Sequence, residues 1–567
     1  MNNQVAQNAP APQVITKSTI LYSERRGATY KPNDEIELYI PPSLGLLNTK
    51  QSFLRFRLKC GDAQSRLKMM PSARAGVASL FRDITITDGT GQFVLETLQS
   101  YALLQGTYNF YSQTESLNKL RTLHEGQPSS RVLGQASKQS GGCGNQYVSG
   151  TSSDPANAFS TIEVCLPLYM SGLLSPDRDA VYPLIATNGL RVRIQLEDAQ
   201  SGMVCMTAPV FTAVDSKNVE DNENDDGSPG GGGYAQSTSY ECLENAGGGA
   251  TSVILKSTKD LSAPKTQAGG NRTAKSVLTD ADNGTDIAHL FLVGQSVMFD
   301  GNAASTRNIT SVELLPSGDA SNPAVDGVDA PRVKLNWVGG LAVGAGVSCE
   351  IVINSATTNE KFTIDNFEFV AGYVVPPNGY LEAIEKRIAS GAFSMDVRTY
   401  SDYAVNVSAN SLNNSLYINA RNNRAKSILT IPAQAQQSSF FADQNIPFKG
   451  GLKDYQMILY KVLTPDRKLN INRFTLGSFN GEALREQQNA LGACDIKVNN
   501  IFKNFQHFFI GRRLATDGYS YNCNRPDEGE IRINIDYDAL SVPLLVHNYI
   551  CHFRRINVRQ DGIEIIY

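Results

Sequence analysis

Short runs of alternating apolar and polar residues recur along this chain. Near the C-terminus, Ile531-Arg532-Ile533-Asn534-Ile535-Asp536-Tyr537 alternates strictly. Far upstream, Leu190-Arg191-Val192-Arg193-Ile194-Gln195-Leu196-Glu197 does the same, and both runs end in an acidic, Ala-containing tail. A period of two places one set of side chains on a buried face and the other in water or against a partner. The likeness of the two runs suggests one β-sandwich used twice.

Other runs fit. Glu35–Ile40 alternates and is closed by Pro41-Pro42. Leu54–Lys59 sends three apolar residues one way and three cations the other. Ile84–Thr87 leads through Asp88-Gly89-Thr90-Gly91 into Phe93–Leu95, and Asp-Gly between such runs signals a hairpin. Thr161–Leu166 and Phe362–Val370 are further strands. The later part repeats the character with Tyr403–Val407, Ser415–Asn419, Ser427–Ile431, Phe508–Gly511 and Tyr549–Val558. Helical spacing predicts short helices over 96–110, 380–390 and 481–493. The first reads as packing over a sandwich edge, and the second as the joint between the halves.

Composition breaks once. Glu220–Asp226 is acidic, Gly230–Gly233 is all glycine, and Gly247–Gly249 follows, so this stretch reads as an exposed linker. Short strands then resume at Leu290–Val293, Ser296–Phe299, Ser311–Leu315, Arg332–Trp337 and Cys349–Ile353. They predict a small β-barrel or sandwich inserted into a loop of the first half. The expected organisation is an arm over 1–18, a first unit over 19–390 with an insert at about 215–355, and a second unit over 391–567. The arm is polar and rich in Ala, Gln and Pro.

At 567 residues the chain exceeds what one core supports. Its 47 Gly, 24 Pro, 23 Tyr and 23 Phe favour a mostly-β class. A net charge of −4 gives no whole-chain footprint for nucleic acid, and no sequence-specific nucleic-acid binding is expected. Arg512-Arg513 and Arg554-Arg555 read as solvated edges. The 9 cysteines lack metal-type spacing and read as small buried hydrophobes in a reducing compartment. The first residues lack the basic and apolar regions of a signal peptide, and no apolar run is long enough to span a membrane.

Candidate chemistry is sparse. His547 and His552 flank an apolar strand and read as structural; His124, His289 and His507 show no ligand spacing. Cys143 in a Ser/Gly loop is a remote nucleophile candidate. Asp221–Gly227 resembles a calcium loop but fails the EF-hand pattern. Glu163, Glu197 and Asp536 could serve a glycan hydrolase only as a placed carboxylate pair, and an outward-facing charge on a strand explains each. No catalytic, cofactor-binding or metal-binding residue is assigned.

Two stretches carry a family resemblance. Ala78–Gly91 followed by Leu95–Tyr101 resembles a strand–turn–helix segment of double jelly-roll major capsid proteins, those of polinton-like viruses, virophages and related eukaryotic double-stranded DNA viruses. Phe508–Leu514, the Ile531 strand and the aromatic-rich last strand are similar too. The resemblance covers most of the chain outside 215–355. It implies an all-β fold of two tandem eight-stranded jelly rolls. It also implies a homotrimer of pseudo-hexagonal outline that tiles an icosahedral virion shell, with neighbouring capsomers, penton and minor capsid proteins as partners and no cofactor. Host-surface contact is expected through 215–355. The rival reading is a β-sandwich adhesin or carbohydrate-binding fibre.

Overall fold

The computed structural model describes residues 15–566 apart from 61–68, 73–74, 113–124, 126–159, 177–180, 206–209, 213–234, 238, 247, 256–264, 268–269, 273–295, 300–301, 316–331, 342–345, 352–361, 376–378, 436–444, 446, 449–450, 472–480, 497, 499–507, 517, 525–529, 538–539, 541–542 and 561.

The first half contains β1 (Ile15–Tyr22), β2 (Glu35–Ile40), β3 (Leu46–Asn48), β4 (Phe53–Cys60), β5 (Phe81–Asp88), β6 (Val94–Leu98), α1 (Tyr101–Ser112), β7 (Ser160–Leu166), β8 (Val181–Pro183) and β9 (Leu190–Leu196). A separate barrel follows, made of β10 (Ser239–Ala246), β11 (Ser252–Leu255), β12 (Ser296–Phe299), β13 (Asn302–Leu315), β14 (Arg332–Trp337) and β15 (Gly346–Ile351). The first half is completed by β16 (Phe362–Val375). After α2 (Tyr380–Ala389) come β17 (Phe393–Asp402), β18 (Val405–Val407), β19 (Asn413–Ile418), β20 (Ala425–Gln434), β21 (Leu452–Leu459) and β22 (Val462–Asn470). The chain then forms α3 (Gly481–Ala493), β23 (Ile510–Arg513), β24 (Ile531–Tyr537), β25 (Leu544–Arg559) and β26 (Gly562–Ile566).

The two halves share one strand order. In the first, one sheet runs β1, β16, β4, β7, with β3 continuing β4 and β8 continuing β7; the other runs β2, β9, β5, β6. In the second, one sheet runs β17, β25, β20, β23 and the other β19, β24, β21, β22. Lettering eight successive strands B to I in each half gives B-I-D-G against C-H-E-F both times, which is the jelly-roll order. The fold is therefore a double jelly roll, as the resemblance implied. β9 and β24, the two runs that look alike in the sequence, hold the same position. Each half also carries a helix between its fifth and sixth lettered strands, F and G.

Burial follows the alternation. Leu190, Val192, Ile194 and Leu196 point inward against Ile36, Leu38 and Ile40, and Ile531, Ile533 and Ile535 do the same beside Leu416 and Ile418. Each such side chain contributes roughly 1.5–3 kcal/mol on leaving water. On the outer face, Arg191 sits opposite Tyr39 and lies over its ring at 5.5 Å. Arg532 sits opposite Tyr417 and covers it at 5.9 Å.

The Asp-Gly hairpin forms between β5 and β6. Asp88 accepts from the Phe93 and Thr90 N–H groups at 2.8 and 3.1 Å, and Gly91 takes a left-handed φ of +78°. The insert is a closed barrel in the order β10, β11, β14, β13, β12, β15. Val253, Leu255, Val297, Phe299, Ile309, Leu335 and Trp337 are buried, and the Trp337 indole N–H donates to the Ala250 carbonyl at 3.1 Å.

Several expectations need correction. Ile15–Ser18, expected in the arm, belong to β1, which pairs along its whole length with β16. The first helix starts at Tyr101, and 96–98 belong to β6. The cause is Glu96, whose buried carboxylate accepts from the Ser171 hydroxyl and the Gly172 and Leu173 N–H groups. Gly248 and Gly249, expected in a linker, form the barrel turn between β10 and β11; the Gly249 N–H donates to Leu341. The strands β17, β21 and β22 had not been anticipated. Glu220–Gly233 and Leu290–Val293 lie outside the described residues.

Candidate functional site: the seam between the sandwiches

Among the described residues, an extensive contact joins the two jelly rolls. β25 alternates like its neighbours. Leu544, Val546 and Ile550 enter the core of the second sandwich, while Tyr549 and Cys551 face the other way. Those outward residues, with Val397, Leu429 and Ile431, join the apolar cluster of the first half. The outer face of one sheet thus completes the core of its neighbour.

Polar contacts fix the register of this seam. The Tyr549 hydroxyl donates to the Ser100 carbonyl at 3.0 Å, and Ser100 holds a left-handed φ of 48° between β6 and α1. Arg554 is buried and donates to the Leu95 carbonyl at 3.2 Å. Asn445 donates to the Ser201 carbonyl at 2.8 Å. On α3, the Gln487 amide donates to the Tyr111 hydroxyl at 2.8 Å and to the Phe509 carbonyl at 3.1 Å. The Tyr111 and Phe509 rings meet edge to face at 5.2 Å.

Glycines permit the closest approaches. A Cβ on Gly172 would fall 1.7 Å from the Arg398 carbonyl oxygen. One on Gly511 would lie 2.9 Å from the Ala490 Cβ, which explains how closely α3 packs on β23.

The expected structural histidines sit at or beside this sheet. His547 Nδ1 is 2.6 Å from Asp402 Oδ2, both buried, and its ring stacks on Tyr549. His552 Nε2 is 2.9 Å from the Ser401 hydroxyl. Burial, then the charge of Arg554, pulls His552 down to about 3. Arg555 pairs with Asp396 at the surface, but buried Arg554 is no solvated edge, contrary to expectation. Arg512 pairs with Glu486 on α3.

The three candidate carboxylates are not brought together. Glu163 lies on the outer face of β7, opposite Arg57. Glu197 follows β9, and burial pushes its carboxyl up to about 7. Asp536 on β24 meets Asp454; the Lys468 ammonium is hydrogen-bonded to Asp536 and lies 3.7 Å from Asp454 Oδ1. Burial and the adjacent Asp536 raise Asp454 above its ordinary value. Among the described residues no group of three or more His, Cys, Asp or Glu could hold a metal ion. Cys143, Asp221–Gly227, His124, His289 and His507 lie outside the described residues.

Sequence reasoning placed α1 and α3 but missed the seam. Gln487 and Tyr111 are remote in the chain, and nothing local marks a polar residue on a helix as a cross-seam donor.

No protein-family profile matches the sequence, and no curated relative matches it. Solved structures are similar over nearly the whole chain. The Faustovirus major capsid protein has a TM-score of 0.48 at 8% identity, covering 97% of this chain and 91% of that one. PBCV-1 VP54, fitted into a reconstruction of the virophage Sputnik, has a TM-score of 0.43 at 7% identity, covering 99% and 98%. The mavirus major capsid protein has a TM-score of 0.36 at 9% identity, covering 100% and 95%. The jelly-roll assignment itself rests on the strand order and register of this chain.

Proposed function

We propose that this chain is a major capsid protein. It assembles as a homotrimer of pseudo-hexagonal outline, and many trimers tile an icosahedral virion shell. One observation carries the reading: the seam joins unlike surfaces of two like sandwiches. The F-edge of the first, β6 with Ser100, meets the outer B–I face of the second. The counterpart of each surface is left over. The outer face of β1 and β16 carries exposed Ile20 and Tyr22 beside the Arg55–Glu368 ion pair, and β22 exposes Val462 and Leu463. A contact between unlike surfaces repeats from chain to chain until it closes as a ring. Three chains place six sandwiches in that ring.

In this reading residues 15–390 and 391–567 are the two wall units. The barrel within 215–355 leaves the first wall between its H and I strands as an outward turret, the place for host-surface contact. Penton and minor capsid proteins meet the walls elsewhere. The role is structural, within the virion.

Light scattering and electron microscopy of the purified full chain test the proposal. Trimers at micromolar concentration are expected, with shells or hexagonal outlines in micrographs. Tyr22→Asp and Val462→Asp should each leave a folded monomer. A wild-type chain that stays monomeric would remove the reading.

A further inference from the structure

Two thiols lie side by side beneath the end of α3. Cys494 directly follows that helix, and its Sγ is 2.9 Å from the Ser427 hydroxyl on β20. Cys551 on β25 stands opposite Ser427 on one side and Tyr400 of β17 on the other. It shares the Ser427 side chain with Cys494. Residues opposite one another on antiparallel strands have Cβ atoms about 4.5–5.5 Å apart, so Ser427 brings both sulfurs within reach of one side chain. Both cysteines are buried.

The surroundings treat the two sulfurs differently. Burial pushes Cys494 up, but hydrogen bonds from Cys551 and Ser427 and the charge of Arg398 draw it below its ordinary value. The hydrogen bond to Cys494, then burial, pushes Cys551 up. Arg398 is held in place by an ion pair with Asp495, the residue after Cys494. Isolated Cys60, by contrast, is raised by burial. Two sulfurs flanking one hydroxyl, with the Arg398 charge favouring the thiolate at both, are placed to close on each other.

We propose that Cys494 and Cys551 form a peroxide-responsive pair that closes to a disulfide and pins the end of α3 to the central strand of its sheet. The Cys494 thiolate attacks hydrogen peroxide. An S–O bond forms as the O–O bond breaks, and the departing hydroxide takes up a proton to leave as water. The Cys551 sulfur then attacks the Cys494 sulfenic acid, loses its own proton and displaces a second water. Two sulfurs give up two electrons, and one peroxide becomes two waters.

The test uses the full-length chain, whether or not it forms trimers, so its outcome is separate from the capsid reading. The protein is treated with hydrogen peroxide, unfolded in an alkylating agent, and digested without reductant for mass spectrometry. A Cys494–Cys551 cross-linked peptide is expected in the wild type and absent from Cys494→Ser and Cys551→Ser. In Cys551→Ser a cyclic dione should trap the sulfenic acid on Cys494. The thermal midpoint should rise after peroxide in the wild type and stay unchanged in Cys551→Ser. Recovery of both wild-type cysteines as alkylated free thiols would overturn the proposal. So would oxidation of Cys494 to sulfinic acid without a cross-link.

Discussion

Gln487 donates its side-chain amide to the Tyr111 hydroxyl at 2.8 Å, and so ties a helix of one sandwich to a helix of the other. Its second hydrogen bond, to the Phe509 carbonyl, holds the amide over the strand that α3 covers. Both side chains are buried, so neither partner regains water when the other is removed.

Gln487→Ala should therefore destabilise the chain by roughly 1–3 kcal/mol, because it strips a donor from two buried acceptors. Tyr111→Phe should cost less, about 1 kcal/mol, since Gln487 keeps its bond to Phe509. Denaturant unfolding of the two variants measures the difference. Equal costs would mean that the amide is held elsewhere.

Gly172→Ala tests the tightest approach at the seam. The new methyl collides with the Arg398 backbone carbonyl, which cannot rotate away. A loss of roughly 3 kcal/mol or more is expected. Gly492→Ala on α3 is the control: its Cβ meets nothing, and a gain of up to about 1 kcal/mol should result. Thermal melts of both variants decide.

Two buried groups give opposite pH slopes. Glu197 has its folded value raised from 4.5 to about 7, so the folded state keeps a proton that the unfolded chain has lost, and stability falls as pH rises through that window. His552 has its folded value lowered from 6.5 to about 3, so stability falls as pH drops through that window. The two oppose each other between about 4.5 and 6.5. Glu197→Gln removes one slope. Its stability relative to wild type should grow by about 2 kcal/mol between roughly pH 5 and pH 8. A pH-independent difference would show that the carboxyl is solvated.

The barrel should prove separable from the walls. Replacing Asn222–Ala356 with a short Gly/Ser linker is expected to leave both jelly rolls folded and the proposed trimer intact, because the barrel closes its own sheet. Light scattering of the deletion checks assembly, and binding to host cells checks the turret. Loss of soluble protein would instead make the barrel part of the first wall.

Much of the fold was legible because burial imposes a period. The strands β9 and β24 each bury one face against a sandwich core, so their alternation is strict and their equivalence is visible. The helix over 481–493 fell where its spacing placed it. By contrast β22 is an edge strand, mostly exposed and interrupted by Pro465, and is held by backbone pairing with β21, which leaves no hydrophobic trace. The start of α1 was misplaced because Glu96 is fixed by contacts with residues 171–173, and no local pattern reports them. The seam was invisible for a related reason. Tyr549 reads as an ordinary strand residue until a second sandwich covers it.

The pairing of β16 bears on synthesis. This strand lies between β1 and β4 in the centre of its sheet, yet the ribosome delivers it only after the entire barrel. Until then the nascent first wall holds an open slot, flanked by two strands with unmet backbone groups, of the kind that invites foreign strands. The second wall repeats the arrangement, with β25 between β17 and β20. A chain interrupted before β25 would lack the middle of that sheet and the face that meets the first sandwich. Completeness of translation is thereby built into closure of each sheet.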